Sequence, residues 1–132
     1  MTWKKIAYES DIEKTVSITF IIDGGGSAIT TGIKGDLRIP FACTINRVTL
    51  LADQTGDIVI DIWKDTYANF PPTDADSITG SSPPTISSGT KYEDSTLSGW
   101  TTTINADDVL RFNVDSCSSI TRVTLSLKVT KT

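Results

Sequence analysis

The sequence predicts an all-β fold, an antiparallel β-sandwich of about eight strands with a jelly-roll-like arrangement. Apolar and polar residues alternate with a period of two over most of the chain after residue 15, which is typical of strands with one buried and one solvated face. Turn residues separate these segments at intervals of about 8–12 residues, and no amphipathic helix of ordinary length interrupts them. Hydrophobic residues make up only 38% of the chain, and Thr, Ser, Asp and Gly are abundant, as in strands and turns.

The 132 residues match one domain in length, and the pattern divides them into residues 1–15 and 16–132. In the first segment, MTWKKIAYESDIEKT, the apolar residues Trp3, Ile6 and Tyr8 stand among charges. We interpret this segment as an N-terminal arm whose three apolar side chains attach the β-sandwich domain to a partner; a flexible leader is the alternative. Neither a signal peptide nor a membrane span is indicated, because the chain lacks apolar runs of the required length.

The first two strands are predicted at residues 16–22 and 33–39. In the first, every second residue is apolar, and in the second the pattern ends at Pro40. The glycine-rich segment DGGGS at residues 23–27 separates them and is expected to be a turn.

The strongest alternation lies in residues 44–52 and 58–63, which flank the turn-like sequence DQTG at residues 53–56. These segments predict a β-hairpin. Ile45 is out of step with the apolar residues that follow it, which indicates a β-bulge or a change of face.

Residues 66–98 are rich in Pro, Ser and Asp and are expected to form loops, with short strands around Ile78, Ile86 and Tyr92. Alternation returns in the last part of the chain. Three further strands are predicted there, at residues 100–104, 110–114 and 120–130, with Trp100 in the core.

The amino-acid composition argues against several kinds of binding, catalytic and metal site. The net charge of −4 and the scattered basic residues argue against a nucleic-acid partner. The chain has no histidine, which excludes a Ser-His-Asp triad and the commonest transition-metal ligand. Most carboxylates lie in predicted turns, so a catalytic carboxylate pair and a weak Ca²⁺ site at residues 74–76 are both disfavoured. We therefore expect no catalytic residue, metal or cofactor.

The two cysteines, Cys43 and Cys117, are far apart in sequence and belong to no CxxC motif. Two separate thiols are the favoured interpretation. A disulfide remains an alternative if the strands that carry them are neighbours.

A cluster of aromatic residues ends one predicted strand and enters a proline loop: Trp63, Tyr67 and Phe70, with Asn69 between them. Flat apolar rings beside amide and carboxylate groups are what sugar binding requires. Rings of this size more often plug the end of a β-sandwich or form a subunit contact, so that interpretation is favoured. Trp63, Tyr67, Asn69 and Phe70 are therefore candidate ligand or interface residues.

The chain contains the segments FIIDGGGSAITTGIKGDLRIPF at residues 20–41 and IDIWKDTYANFPP at residues 60–72. These two segments resemble a β-rich domain of tailed-phage virion proteins. Residues 3–11, WKKIAYESD, resemble the join that precedes this domain in longer chains. In that family the domain often forms the C-terminal part of tail-fibre, collar or head-fibre-like proteins.

The resemblance implies a virion component that is assembled in the host cytoplasm, has other virion proteins as partners and forms a homo-oligomer, with a trimer favoured. It supplies no catalytic motif. Because the domain stands nearly alone here, decoration, collar and adaptor roles are expected ahead of a fibre role. We rank a non-enzymatic structural module, which can also face the host surface, first. A carbohydrate-binding module for a host surface glycan is second, and a glycan depolymerase is last.

Overall fold

A computed structural model describes residues 14–132, which form seven β-strands and one short 3₁₀ helix. The strands are β1 (Thr15–Asp23), β2 (Gly32–Arg38), β3 (Cys43–Asp65), β4 (Thr85–Asp94), β5 (Thr103–Ile104), β6 (Val109–Ser118) and β7 (Arg122–Lys131). The 3₁₀ helix (Asp74–Asp76) lies in the loop between β3 and β4. Within this part of the chain, no helix has the length and apolarity needed to cross a membrane.

All seven strands belong to one hydrogen-bonded sheet in which every pairing is antiparallel. The order is β1-β7-β3-β6-β2, and β4 and β5 pair with the other edge of β3. The prediction of an antiparallel all-β fold is thereby confirmed. Because one continuous sheet holds the strands, the finer expectation of a jelly-roll-like sandwich of two separate sheets is not confirmed.

The longest strand, β3, has 23 residues and changes partner halfway along its length. It pairs with β7 over residues 43–52 and with β6 over residues 57–65. The hairpin predicted around residues 53–56 is therefore wrong, because the chain continues through DQTG without turning back.

The partner exchange in β3 explains why this turn-like sequence does not turn. Asp53 accepts hydrogen bonds from the backbone N–H groups of Thr121 (3.2 Å) and Arg122 (3.0 Å), which join β6 to β7. A further hydrogen bond from the Thr121 hydroxyl lowers the pKa of Asp53 and favours its carboxylate form. At Gly56 a Cβ would overlap the carbonyl oxygen of Ser118. Asp53 and Gly56 thus hold β3 against the turn that joins β6 to β7.

The sheet curls at this point, so strands that are distant in the sheet order meet through their apolar faces. Phe20 of β1 stacks on Phe112 of β6 with ring centroids 4.4 Å apart and planes 9° apart, although β7 and β3 lie between these two strands. A Cβ on Gly35 of β2 would come within 2.8 Å of the Phe20 ring. The glycine therefore leaves the space that the ring fills. Fully buried aliphatic residues surround this stack, among them Val48, Leu50, Ile58, Ile60, Ile62, Leu110, Val123, Leu125 and Leu127.

The irregularity predicted at Ile45 is a β-bulge. Ile45 pairs with Val129 and Arg47 pairs with Lys128, so Asn46 is an extra residue in β3. Ile45 is 2% exposed and Val48 is 0% exposed, which shows that the bulge keeps both side chains in the core.

We expect the Gly35→Ala substitution to lower the free energy of unfolding by about 1–3 kcal/mol, because the new methyl group would press on a ring already stacked against Phe112 and because the φ of +158° at Gly35 is rarely adopted by residues with a side chain. Gly89→Ala is the matched control: its Cβ would meet only ordinary contacts, the nearest at 3.6 Å, and we expect a change within about 0.5 kcal/mol. Urea unfolding followed by tryptophan fluorescence measures both. Equal effects would contradict the packing argument, and Phe20→Leu should relieve part of the Gly35→Ala cost.

Candidate functional site

The aromatic cluster predicted from the sequence is divided by the structure into one buried and two exposed rings. Trp63 lies on β3 and is only 9% exposed. Tyr67 and Phe70, in the loop that follows β3, are 60% and 45% exposed. The three rings therefore do not form one flat platform, and only Tyr67 and Phe70 offer their surfaces to solvent.

Asp61 holds Trp63 and the chain beyond the loop in place. Its Oδ2 accepts a hydrogen bond from Trp63 Nε1 at 2.9 Å, and its Oδ1 accepts one from the backbone N–H of Ile62 at 2.8 Å. The hydroxyls of Ser77 and Thr79 also donate to Oδ1, each at 2.7 Å. Because four donors converge on this one carboxylate, Asp61 fixes residues 77–79 against the end of β3. The sequence gives no signal for this role, because Asp61 occupies an ordinary polar position between two isoleucines of a strand.

The two exposed rings are covered on one side by guanidinium groups from the outer face of the sheet. Arg38 Cζ lies 4.0 Å from the centroid of the Tyr67 ring, and Arg111 Cζ lies 5.1 Å from that of Phe70. Such contacts stabilise the position of a ring by roughly 0.5–1 kcal/mol where they are exposed. The two arginines thus orient the loop aromatics relative to the sheet.

Arg111 is itself held by Asp36 of the neighbouring strand. Its Nε and Nη2 donate to the two carboxylate oxygens of Asp36 at 2.7 and 3.1 Å. This bidentate geometry raises the pKa of Arg111 through the hydrogen bonds with Asp36. The pairing was not predicted, because the only sequence signal is that both residues occupy polar positions of their strands.

An open groove of about 660 Å³ runs between the outer face of β2, β6 and β3 and the loop that carries Phe70. The strand register places Asp36, Arg111 and Trp63 in one row across the sheet. Ile33, Asn113 and Asp61 form the next row. The groove is lined by Ile33, Asp61, Trp63, Pro71, Pro72, Thr73, Asp74, Arg111, Asn113 and Asp115. It therefore combines an apolar floor with amide, carboxylate and guanidinium groups, as ligand sites do.

The side-chain amide and the backbone N–H of Asn69 both donate hydrogen bonds within the loop. Its Nδ2 donates to Asp65 Oδ1 at 3.2 Å, and its backbone N–H donates to the carbonyl of Thr66 at 3.1 Å. The side chain is exposed, and its role as a ligand residue stays a prediction. The candidate attachment residues Trp3, Ile6 and Tyr8 lie outside the described residues.

Cys43 is buried, Cys117 is half-buried, and both are free thiols. Burial raises the pKa of each thiol, so both favour the neutral form. In residues 14–132 no group of three His, Cys, Asp or Glu side chains is placed to hold a metal ion. Asp76, in the loop considered for Ca²⁺, accepts a hydrogen bond from the backbone N–H of Thr73 at 2.8 Å and so stabilises the 3₁₀ turn.

No protein-family model and no curated protein sequence matches the chain. Weak similarities to solved structures exist. One is to a chain of the Aeromonas sobria serine protease and chaperone complex, with 10% identity and a TM-score of 0.39 over 98% of this chain and 29% of that chain. This chain thus spans less than a third of the length of that first neighbour.

Two other weakly similar structures come from virus particles. The infectious bursal disease virus Gx strain has a chain with 10% identity and a TM-score of 0.31 over 92% of this chain and 37% of that chain. The cyanophage Pam1 capsid has one with 14% identity and a TM-score of 0.28 over 89% of this chain and 79% of that chain. At these TM-scores the likenesses say nothing about what this chain does.

Replacing Asp61 by Ala should lower the free energy of unfolding by about 2–3 kcal/mol, since it removes the acceptor shared by Trp63 Nε1, the Ile62 N–H and two hydroxyls. Asp115→Ala is the control, because among the described residues this exposed carboxylate accepts one side-chain hydrogen bond, from Asn113. Urea unfolding gives the stability, and amide hydrogen exchange should rise at residues 77–79 in the Asp61 variant alone. An equal loss in the two variants would contradict the assigned role of Asp61.

Proposed function

We propose that this chain is a non-enzymatic structural component of a tailed-phage particle, serving as a decoration, collar, fibre or adaptor module. The observation that carries the proposal is the resemblance of residues 20–41 and 60–72 to a virion domain. Both segments contribute to the same groove, the first through Ile33 and the second through Asp61, Trp63 and the two prolines. The resembling segments are thus neighbours in space, as parts of one functional surface would be.

The chemistry of the groove supports a binding or structural role rather than a catalytic one. Of the carboxylates that line the groove, Asp61 accepts four hydrogen bonds, and Asp115 accepts one from Asn113 Nδ2 at 2.7 Å. A carboxylate engaged in this way is poorly suited to take a proton from a substrate. The chain also has no histidine to act as a general base near neutral pH.

In this proposal residues 1–15 attach the sheet domain to other virion proteins through Trp3, Ile6 and Tyr8. The module forms a homo-oligomer, with a trimer favoured. The particle is assembled in the host cytoplasm, and the module then remains part of the virion.

Particles of the phage that encodes this chain test the proposal. We expect mass spectrometry of density-purified particles to find the chain at a copy number comparable to that of other structural proteins. Replacing Trp3, Ile6 and Tyr8 by Ala should lower its incorporation by about tenfold or more, because three apolar anchors would be lost. A Lys4→Gln, Lys5→Gln variant is the control and should be incorporated normally.

Absence of the chain from purified particles would overturn the structural role. Normal incorporation of the triple Ala variant would overturn only the attachment through the arm. Circular dichroism of each purified variant, compared with the unchanged protein, confirms that the sheet domain still folds.

A second candidate function is recognition of a host surface glycan at the groove. It is favoured by the exposure of Tyr67 and Phe70 in the loop beside the groove, where the rings lie next to Arg38 and to the groove residue Arg111. Pre-oriented aromatic rings beside polar groups lower the entropy that sugar binding must overcome. This function is compatible with a place on the particle surface.

A glycan array of bacterial surface polysaccharides, followed by calorimetric titration of any hit, tests this second function. We expect Tyr67→Ala and Phe70→Ala each to weaken binding by about two- to tenfold, because each removes one ring contact. Ile21→Ala removes an exposed apolar side chain from the other half of the sheet and should leave affinity unchanged. Binding that survives both aromatic substitutions, or no binding at all, would reject the glycan site.

A further inference from the structure

A second groove lies on the outer face of the other half of the sheet, formed by β1, β7 and the first half of β3. It has a volume of about 320 Å³ and is lined by Ser17, Arg47, Thr49, Ser126 and Lys128, with Thr15 and Val16 at its end. The strand register places Ser17, Lys128 and Arg47 in one row across the sheet, and Thr19, Ser126 and Thr49 in the next. Two cations and a set of hydroxyl groups therefore face the same groove.

The two cations are directly opposite each other, which is unfavourable in a sheet without a counter-charge. Arg47 and Lys128 are a cross-strand pair of β3 and β7, and like charges in this position destabilise the pairing. The nearest carboxylate is Glu93, whose Oε1 lies 3.7 Å from Arg47 Nη1, with the side chains 41% and 62% exposed. Among the described residues no ion pair involves Lys128. The groove therefore carries local positive charge, although the net charge of the protein is −4.

Arg47 also has an unused donor. Its Nε is buried at the atom level and has no hydrogen-bond partner among residues 14–132. A buried donor without an acceptor costs free energy, so such groups are rare in stable folds. Because Nε has almost no exposed surface, an anion in the groove meets Arg47 at the terminal Nη1 and Nη2 groups of the guanidinium fork.

The hydroxyl groups complete the set of donors. Ser17 Oγ lies 2.8 Å from Ser126 Oγ and 3.2 Å from Thr19 Oγ1, so each of these hydroxyls can rotate to donate to a third group. Thr49 lies beside Ser126 in the same row. These hydroxyl side chains carry no charge, and Glu93, the cross-strand neighbour of Thr49 on β4, brings a carboxylate to the β4 end of the row.

We propose that this groove binds an oxyanion, a sulfate or phosphate group held by the Arg47 fork and the Lys128 ammonium and contacted by the hydroxyls of Ser17, Thr49 and Ser126. The group can be a free ion or an ester on an anionic polymer, since both present the same oxygens. Binding supplies a second counter-charge to the Arg47–Lys128 pair, in which Glu93 lies 3.7 Å from Arg47 and no described carboxylate forms an ion pair with Lys128. The site lies on the half of the sheet formed by β1, β7 and the start of β3, and it does not depend on the glycan groove.

Amide chemical-shift titration of the full chain tests this site. Sodium sulfate and sodium phosphate are added with sodium chloride adjusted to constant ionic strength. We expect saturable shifts at Ser17, Thr49, Ser126 and Lys128 and none in the loop that carries Phe70. Dextran sulfate and uncharged dextran form the second arm. Tighter binding of dextran sulfate than of free sulfate would indicate a polymer-borne group, and equal affinity per sulfate would indicate the free ion.

Single variants identify the donors. We expect Arg47→Gln and Lys128→Gln each to weaken sulfate binding about tenfold, through loss of one charge-assisted contact. Arg47→Lys, which keeps the charge and loses the fork, should fall between Arg47→Gln and the unchanged protein. Lys91→Gln is the matched control, because it removes an equal charge from β4, and it should change affinity less than about twofold.

Two outcomes would overturn the proposal. One is the absence of any saturable shift beyond that of sodium chloride. The other is an equal loss of affinity in Lys91→Gln and Lys128→Gln, which would indicate general attraction to charge. Circular dichroism confirms folding of each variant, and Lys128 is an exposed side chain whose replacement leaves the core unchanged. Tyr67→Ala should bind sulfate normally, so failure of this site and failure of the glycan groove are distinguishable.

Discussion

The backbone hydrogen bonding of β3 is the constraint on which the rest of the structure depends. Four of the other six strands pair with it, and only β1 and β2 reach it through a neighbour. β3 keeps its backbone hydrogen bonds to neighbouring strands through a bend. Because its first half pairs with β7 and its second half with β6, this bend makes the sheet curl. The core is then enclosed by one sheet, with the Phe20–Phe112 stack joining its distant parts.

Buried aliphatic side chains fill the inner face of the curled sheet, so a ligand or partner can reach only the outer face. The curl divides that face into two surfaces of different chemistry. On the half formed by β2, β6 and the end of β3, a long loop folds over the strands and adds aromatic rings and prolines. On the half formed by β1, β7 and the start of β3, short hydroxyl side chains leave two cations close to each other.

The arginines illustrate the difference between these surfaces. Arg111 has a bidentate carboxylate partner and a ring over its plane, so its charge is used within the protein. Within residues 14–132, Arg47 forms one ion pair, with the exposed Glu93 at 3.7 Å, and its Nε has no acceptor. A guanidinium group that is fully paired orders its surroundings, whereas one that is partly paired retains binding capacity for an external anion.

The sequence by itself determined the all-β class, the inward and outward side of most strands and the bulge near Ile45, because a period of two is a local property of strands. It also marked the aromatic residues of the loop, since their types and spacing are visible without a fold. The hairpin turn predicted at residues 53–56 was wrong. Asp and Gly are typical of such a turn, but here they lie where β3 changes its pairing from β7 to β6. Only the tertiary structure decided which strands pair, that Trp63 is buried while Tyr67 and Phe70 are not, and that Asp36 meets Arg111 and Lys128 meets Arg47. These contacts join residues distant in sequence, and the curl of one continuous sheet, which no local pattern encodes, brings them together.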